Sequence, residues 1–434
     1  MSADAVKMAI PNGRWYHIIP ATILVYIVAF MDRTNISFGI AGGMDVALGM
    51  TATVSGLAAG IFFVGYLFLQ VPGGHIAEHG SAKKFIAWTI LFWGGFAALT
   101  GYVTEVWQLL GIRFILGVAE GGVYPAILTI ISHWFPSHER ARANAYFQMN
   151  LAIASIITGP LSGWIIQNYS WREMFLIEGV VSLALILVWM PLISDHPHQA
   201  KWISKEEREY IESHLAAEQA ELKLTGGAKA SYKEVLSSVN MWKLIAIYFA
   251  LQVGFYGFSL WLPTLLKEIT KSGLGMVGML TILPYVMTIV GQYIFAKRCD
   301  ATMNRRLYTA LPAVGFGICL IFAMVFKSQM WLSYAFMVAC GTFLQAATGP
   351  FWTLPPALFS SEVAGGARGI INALGNLGGF VGPYLVGFIT TSVNQNAAIY
   401  TLVGFLFVGA AITFSLPSHT TGIKKAGTLA AAKE

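Results

Sequence analysis

The chain has 434 residues, of which 56% are apolar and only 11% are charged. A soluble domain carries about 25% charged residues, so the composition excludes soluble enzymes, nucleic-acid-binding modules and secreted disulfide scaffolds. The formal net charge of +6 comes from loops rather than from a partner-binding patch. The chain is therefore predicted to be a polytopic membrane protein, embedded in a lipid bilayer, that binds no nucleic acid.

Twelve apolar runs are long enough to cross a bilayer, which needs roughly 20 residues per helix. They predict an all-α protein whose spans are, in chain order, 17–41, 52–76, 84–103, 107–132, 142–167, 173–193, 242–266, 275–297, 307–326, 330–356, 367–391 and 397–416. A polar segment separates six spans from six. The predicted organisation is an N-terminal half (1–193), a cytoplasmic linker (194–241) and a C-terminal half (242–434).

Lysine and arginine are distributed unevenly between the two sides of the predicted membrane. Of the 27 such residues, 21 lie in the termini and the even-numbered loops, and two lie inside spans. The odd-numbered loops hold Arg172, Lys267, Lys271 and Lys327. Cytoplasmic loops carry the excess of positive charge, so both termini and the linker are predicted to be cytoplasmic. The expected location is the inner membrane of a bacterium.

The three cysteines, Cys299, Cys319 and Cys340, are far apart in the sequence and no histidine cluster accompanies them. This pattern predicts neither a disulfide framework nor a metal site. No cofactor is expected, and the proton gradient is the predicted driving force.

The two halves repeat each other at a nearly constant offset. Glu78 and Asp300, which follow spans 2 and 8, are 222 positions apart, and Pro160 and Pro383, in spans 5 and 11, are 223 apart. A parallel duplication of six spans is typical of transporters that bind their substrate between two halves.

Several segments carry a family resemblance over essentially the whole chain. Residues 74–84 read Gly-His-Ile-Ala-Glu-His-Gly-Ser-Ala-Lys-Lys, which resembles the loop signature of the major facilitator superfamily, with Glu78 in place of Asp and His79 in place of Arg. Residues 31–36, 113–122 and 134–143 resemble the anion–cation symporter family. That resemblance implies two pseudo-symmetric six-helix halves. It also implies uptake of organic anions such as sugar acids, tartrate, phthalate or hydroxyphenylacetate.

Four ionisable residues stand out inside the predicted spans: Asp32, Arg33, Arg113 and Glu120. An unpaired charge at such a depth costs at least about 2.5–3.5 kcal/mol. Arg113 and Glu120 are seven residues apart, which places them on one helix face. Two arginines suit bidentate binding of a carboxylate. With all four groups ionised, the cluster is neutral.

Protonation of either acid leaves a positive charge that an anion neutralises, so proton and anion favour each other's binding. The hypothesis is proton symport in which Asp32 and Glu120 carry protons and Arg33 or Arg113 clamps the anion. The matching acids and arginines are the working residues in the family that the chain resembles. The alternative is a static ion-pair scaffold between spans 1 and 4.

Uncharged polar and aromatic side chains follow helical spacing in other spans. Inside hydrocarbon they either bind substrate or bond helices together. The candidates are Tyr66, Gln148, Asn150, Gln252, Tyr256, Trp261, Trp352, Asn372 and Asn376. The resemblance implies that Tyr66, Asn376 and an amide of span 5 line the cavity, and Asn150 is preferred over Gln148.

Three charged residues at span ends are candidates for gating. Glu78 is placed to cap a helix of the other half, with Arg140 as its partner, which would hold the outward-facing state shut. Asp300 is the counterpart of Glu78 in the second half.

The sequence thus predicts a secondary transporter, not an enzyme, that imports a small organic anion by proton symport and works as a monomer. An exporter or antiporter of the same fold, and a non-transporting sensor, are the alternatives. The residues leave open which anion is carried, how many protons accompany it, and whether sodium replaces them.

Overall fold

The computed structural model describes residues 11–224, 236–359 and 361–417, and the regular elements there are helices. Twelve spans within these ranges are long and apolar enough to cross a membrane. In chain order, spans 1 to 12 are Gly13–Ala47, Ala52–His79, Ala82–Tyr102, Val106–Trp134, His138–Asn168, Trp171–Leu192, Val239–Thr270, Leu274–Thr302, Arg305–Val325, Met330–Leu358, Ala367–Ser392 and Gln395–Phe414. The all-α, twelve-span prediction is confirmed.

A separate helix, Lys205–Leu224, lies between spans 6 and 7 and marks one face of the bundle. We call this helix the linker helix, its side of the bundle the linker face, and the other side the opposite face. Arg14, at the start of span 1, donates hydrogen bonds of 2.8 Å to both Glu139 and Glu207. Tyr210 of the linker helix lies 3.5 Å from Glu139, and partial burial raises the pKa of Tyr210. These contacts join the linker helix to the first six spans.

Span 1 loses regular α-helical geometry as it reaches the opposite face. Residues Ile40–Met44 form a π-helical turn, and Gly43 has a φ of +99°, a conformation that glycine adopts without a Cβ penalty. Next to this turn, Lys267 Nζ of span 7 donates a 2.7 Å hydrogen bond to the main-chain oxygen of Ala41. The irregular end of span 1 is therefore bonded to the second half.

Glycines allow the two halves to approach closely at two places. A Cβ on Gly56 of span 2 would lie 2.4 Å from the main-chain oxygen of Pro383 in span 11. A Cβ on Gly278 of span 8 would lie 2.2 Å from the main-chain oxygen of Gly159 in span 5. Real Cβ atoms do not come this close to backbone, so these contacts require glycine.

Further hydrogen bonds cross between the halves at the opposite face. The hydroxyls of Thr53 and Thr391 lie 3.0 Å apart, and the main-chain nitrogen of Gly275 donates to Gln167 Oε1 at 2.8 Å. Together with the Lys267–Ala41 bond, they hold the first and last six spans together at that face.

Candidate functional site

Spans 1 and 4 bring Arg33 and Glu120 together inside the bundle. Arg33 Nη2 lies 3.3 Å from Glu120 Oε2, and both side chains are buried. Close packing of span 4 on span 2 fixes this geometry, because a Cβ on Gly117 would lie 2.0 Å from the main-chain oxygen of Phe62. Removing one partner of a buried pair leaves an uncompensated charge and costs about 3–5 kcal/mol. The pair is therefore both part of the fold and a centre for ionic chemistry.

Aromatic rings enclose the Arg33 guanidinium. Its Cζ lies 4.8 Å from the ring centre of Tyr66 and 5.1 Å from that of Phe62, distances at which the ring faces stabilise a cation. The hydroxyls of Tyr26 and Tyr66 lie 3.5 Å apart beside it. Arg33 Nε and Glu120 Oε1 are buried without a hydrogen-bond partner among the described residues. Within the described residues, Arg33 thus has a nitrogen free to donate a hydrogen bond, and Glu120 has an oxygen free to accept one.

Arg113 is held quite differently from Arg33. Its Nη1 and Nη2 donate to the main-chain oxygens of Asp32 and Arg33 at 3.1 and 3.0 Å, and its Nε donates to that of Ala58 at 3.3 Å. Three bonds to backbone tie this guanidinium to spans 1 and 2. Arg113 therefore positions span 1 and supplies positive charge, while each of its three nitrogens donates to a main-chain oxygen.

Asp32 faces span 6 rather than the arginines. One oxygen of its carboxylate accepts a hydrogen bond from the Ser182 hydroxyl, whose alternative acceptor is the main-chain oxygen of Glu178 at 2.9 Å. The other oxygen, Oδ1, is buried without a partner among the described residues. The hydrogen-bond partner of the Asp32 side chain among the described residues is thus in span 6.

A fifth ionisable residue, Glu178 of span 6, was missed by the sequence analysis. Its side chain is fully buried and accepts hydrogen bonds from Asn35 Nδ2 at 2.8 Å and from the Ser162 hydroxyl at 2.7 Å. The signal was the same as for Asp32, a carboxylate inside an apolar run. The predicted four-residue cluster is therefore incomplete.

The second half contributes a chain of amides from spans 7 and 11. Gln252 Nε2 donates to Asn376 Oδ1 at 2.9 Å, and Asn376 Nδ2 donates to Asn372 Oδ1 at 3.1 Å. Tyr256, one turn after Gln252, packs against Phe63 of span 2 with ring centres 4.3 Å apart, and it also faces Arg33. The structure therefore brings the polar residues of span 7 to the interface with the first half.

Three further candidates, Gln148, Asn150 and Trp352, lie in different surroundings. Gln148 is exposed and donates to the Tyr124 hydroxyl at 2.5 Å, whereas Asn150 is fully buried and its amide turns to the main-chain oxygen of Phe147. The geometry therefore favours Gln148 over the preferred Asn150 as the accessible amide. Trp352 packs on Tyr248 with ring centres 5.0 Å apart.

Trp261 lies near the opposite face. Its indole donates to the main-chain oxygen of Pro383 at 3.2 Å. It lines a cavity of about 560 Å³ together with Asp45, Lys267 and Glu268. Trp261 is therefore separated from the amides of spans 7 and 11.

The three gating candidates lie at the linker face. Glu78 and Asp300 are exposed, and Arg140 forms an ion pair with Glu218 of the linker helix at 3.2 Å. Arg140 thus has a partner other than Glu78 in this conformation. The described part of the chain contains no group of three His, Cys, Asp or Glu side chains suited to holding a metal ion.

Comparisons with known proteins find a matching family model and similar transport proteins. A sequence model of the Major Facilitator Superfamily matches residues 22–383. A protein of Agrobacterium vitis named "Putative tartrate transporter" is 33% identical over 92% of each chain. A Pseudomonas putida protein named "Putative metabolite transport protein NicT" is 28% identical over 93% of each chain.

The fold is also similar to that of a solved transporter. The crystal structure of a bacterial homologue of the human lysosomal transporter Spinster superposes with a TM-score of 0.75, covering 93% of this chain and 97% of the other. The two sequences are 17% identical, so the similarity is one of fold.

Proposed function

The chain belongs to the Major Facilitator Superfamily and is a multi-pass membrane transporter, and on that premise we propose that it imports a small organic anion together with protons. The observation that carries the proposal is the buried Arg33–Glu120 pair with its unused donor and acceptor. A carboxylate that binds Arg33 competes with Glu120 for the guanidinium. Protonation of Glu120 removes that competition, so proton and anion bind together.

Arg33, rather than Arg113, is the proposed anion clamp. The donors of Arg113 are bonded to main-chain oxygens, whereas Arg33 Nε has no partner among the described residues. A planar guanidinium with free donors binds a carboxylate in a bidentate manner. Asp32 is the second proposed proton carrier, and its unpartnered oxygen is available to hold the proton.

The proposed substrate is a hydroxylated carboxylate. The linked amides of Gln252, Asn372 and Asn376 present donors and acceptors of the kind that recognise hydroxyl groups, and Tyr66 and Tyr256 lie beside the cation. The tartrate in the name of the Agrobacterium relative fits this chemistry. Trp261 lies near the opposite face, outside this arrangement, which favours a polar acid over an aromatic one.

The proposed orientation places the linker face in the cytoplasm of a bacterial cell, as the distribution of lysine and arginine indicates. The halves are bonded at the opposite face, so the described conformation is closed on the side that this orientation places outside the cell. In the outward-facing state the proposed cap of Glu78 on a helix of the second half would replace these bonds.

Purified protein in proteoliposomes tests the function directly. An inward proton gradient is imposed, and uptake of tartrate, a sugar acid, an aromatic acid and an uncharged sugar is followed. The proposal predicts that an acid, and not the sugar, accumulates above its external concentration, and that an uncoupler abolishes the accumulation. Accumulation that instead requires an outward proton gradient would support an antiporter, and the absence of any flux would contradict transport.

A further inference from the structure

Glu178 is a buried carboxyl group that the proposed mechanism does not use. It lies in span 6, one helical turn from Ser182, and its side chain is inaccessible to solvent. Desolvated acids inside a membrane bundle are expensive and are retained where they carry protons or ions. No basic side chain pairs with Glu178 in the described part of the chain.

The hydrogen bonds around Glu178 suit both of its protonation states. Asn35 Nδ2 and the Ser162 hydroxyl donate to the two oxygens of the ionised carboxylate. Asn35 Oδ1 is buried without a partner, so turning the amide over would offer an acceptor to a protonated carboxyl. The Ser162 hydroxyl donates or accepts by rotation. Neither state leaves the carboxyl group unbonded.

The nearest charged group is Asp32, reached through a shared hydroxyl. The Ser182 hydroxyl lies within hydrogen-bond distance of both the Asp32 carboxylate and the main-chain oxygen of Glu178, and its one hydrogen is donated to either of them. Residues 85–102 of span 3 and 143–168 of span 5, which pack near span 6, contain no charged side chain. Among the described residues, Asp32 is therefore the charged group that a shared hydroxyl links to Glu178.

Three carboxyl groups and two guanidinium groups lie in this region: Asp32, Glu120, Glu178, Arg33 and Arg113. When all five are ionised, the net charge is negative by one, so one bound proton is needed before the region is even neutral. The region reaches a charge of plus two only when all three acids are protonated. That charge neutralises a dianion.

We infer that Glu178 binds a third transported proton and that the substrate is a dicarboxylate. This inference rests on the proposed symport. Three protons and one dianion then move inward together, carrying one net positive charge. Without Glu178, two protons and one dianion move, and the cycle carries no net charge.

The test measures how tartrate accumulation responds to membrane potential. Proteoliposomes with equal pH on both sides receive a negative-inside potassium diffusion potential set by valinomycin. With one net charge per cycle, wild-type protein should accumulate tartrate tenfold for each ~59 mV. Glu178→Gln should show no potential-driven accumulation while retaining tartrate counterflow. Glu173→Gln, on the same span and outside the cluster, is the matched control and should behave as wild type.

The outcomes distinguish a failure of this inference from a failure of the proposed symport. Potential-driven accumulation by Glu178→Gln, or potential-independent tartrate accumulation by the wild type, would overturn the third proton. Uptake of monocarboxylates but not of tartrate would overturn the inference and leave proton symport standing.

If Glu178→Gln loses tartrate counterflow, Ser162→Ala provides a second test. Ser162→Ala keeps the carboxyl group but removes one donor to its ionised form. It should retain potential-driven accumulation with a pH profile displaced to higher pH. An unchanged profile would contradict a transported proton at Glu178.

Discussion

At the scale of single residues, the two buried arginines have different roles because their hydrogen-bond partners differ. Each nitrogen of the Arg113 guanidinium donates to a main-chain oxygen, so this side chain is held in place against spans 1 and 2. Arg33 lies among aromatic rings with Glu120 as its ionic partner and an unbonded Nε. Once Glu120 is protonated, an anion can take its place on Arg33, whereas moving Arg113 would break three bonds to the backbone.

Arg33→Lys tests this division. Lysine keeps the charge but loses the planar fork and the stacking on Tyr66. Loss of one charge-assisted hydrogen bond, about 1.5–3 kcal/mol, lowers the initial rate of uptake roughly 10- to 100-fold. The matched control is Arg298→Lys, at an exposed position, which should leave the rate unchanged. Equal rates for Arg33→Lys and wild type would remove Arg33 from the substrate site.

The sequence was sufficient to find Asp32, Arg33, Arg113 and Glu120, because charge inside an apolar span is costly and easy to see. It was not sufficient to tell the arginines apart, since their difference lies in bonds to the backbone of other spans. Glu178 carried the same signal and was overlooked. Its partners Asn35 and Ser162 come from spans 1 and 5, so only the folded bundle shows its surroundings.

At the scale of helices, the contact between spans 2 and 4 holds the site in register. Gly65, Gly117 and Gly121 bring the two backbones so close that an added Cβ would lie 2.0–2.2 Å from a main-chain oxygen. Small residues at such contacts let membrane helices pack by van der Waals attraction. Glu120 lies within this packed stretch, so the position of its carboxylate follows from the glycines beside it.

Gly117→Ala is expected to destabilise the protein by about 1–3 kcal/mol, because the clash is with backbone and cannot be relieved by a side-chain rotation. Gly111→Ala lies on the same span with open space around it and serves as control. Thermal unfolding in detergent should show a lower melting temperature for Gly117→Ala alone. Equal melting temperatures for the two variants would contradict the proposed role of the close packing.

The number and positions of the spans were predictable from the lengths of the apolar runs, whereas local departures from α-helical geometry were not. The spans were found because roughly 20 apolar residues are needed to cross the membrane. The π-helical end of span 1 depends on a positive φ at Gly43 and on Lys267 from another half, neither of which is visible in a local pattern. The family resemblance implies an amide of span 5 and leaves the choice between Asn150, the preferred one, and Gln148 to the fold, which buries Asn150 completely.

At the scale of the whole molecule, the two halves are joined at the opposite face by short contacts that a rocking motion would have to break. Spans 2 and 11 and spans 5 and 8 supply the glycine contacts, and the hydroxyls of Thr53 and Thr391 meet between them. Such a seam is consistent with alternating access, in which one side closes as the other opens.

A disulfide across this seam should arrest transport. With Cys299, Cys319 and Cys340 replaced by alanine, Thr53→Cys combined with Thr391→Cys places two thiols where hydroxyls lie 3.0 Å apart. Oxidation should abolish uptake and a reductant should restore it, because the seam must open in each cycle. The Thr53→Cys variant alone is the control. Full transport by the cross-linked protein would refute opening at this face.

The most direct measurement follows protons rather than substrate. Proteoliposomes containing a pH-sensitive dye, with no imposed gradient, receive external tartrate. The account predicts that the lumen acidifies with wild-type protein, and that Glu120→Gln acidifies it less for the same tartrate uptake. An unchanged internal pH during tartrate uptake by the wild type would contradict proton-coupled import.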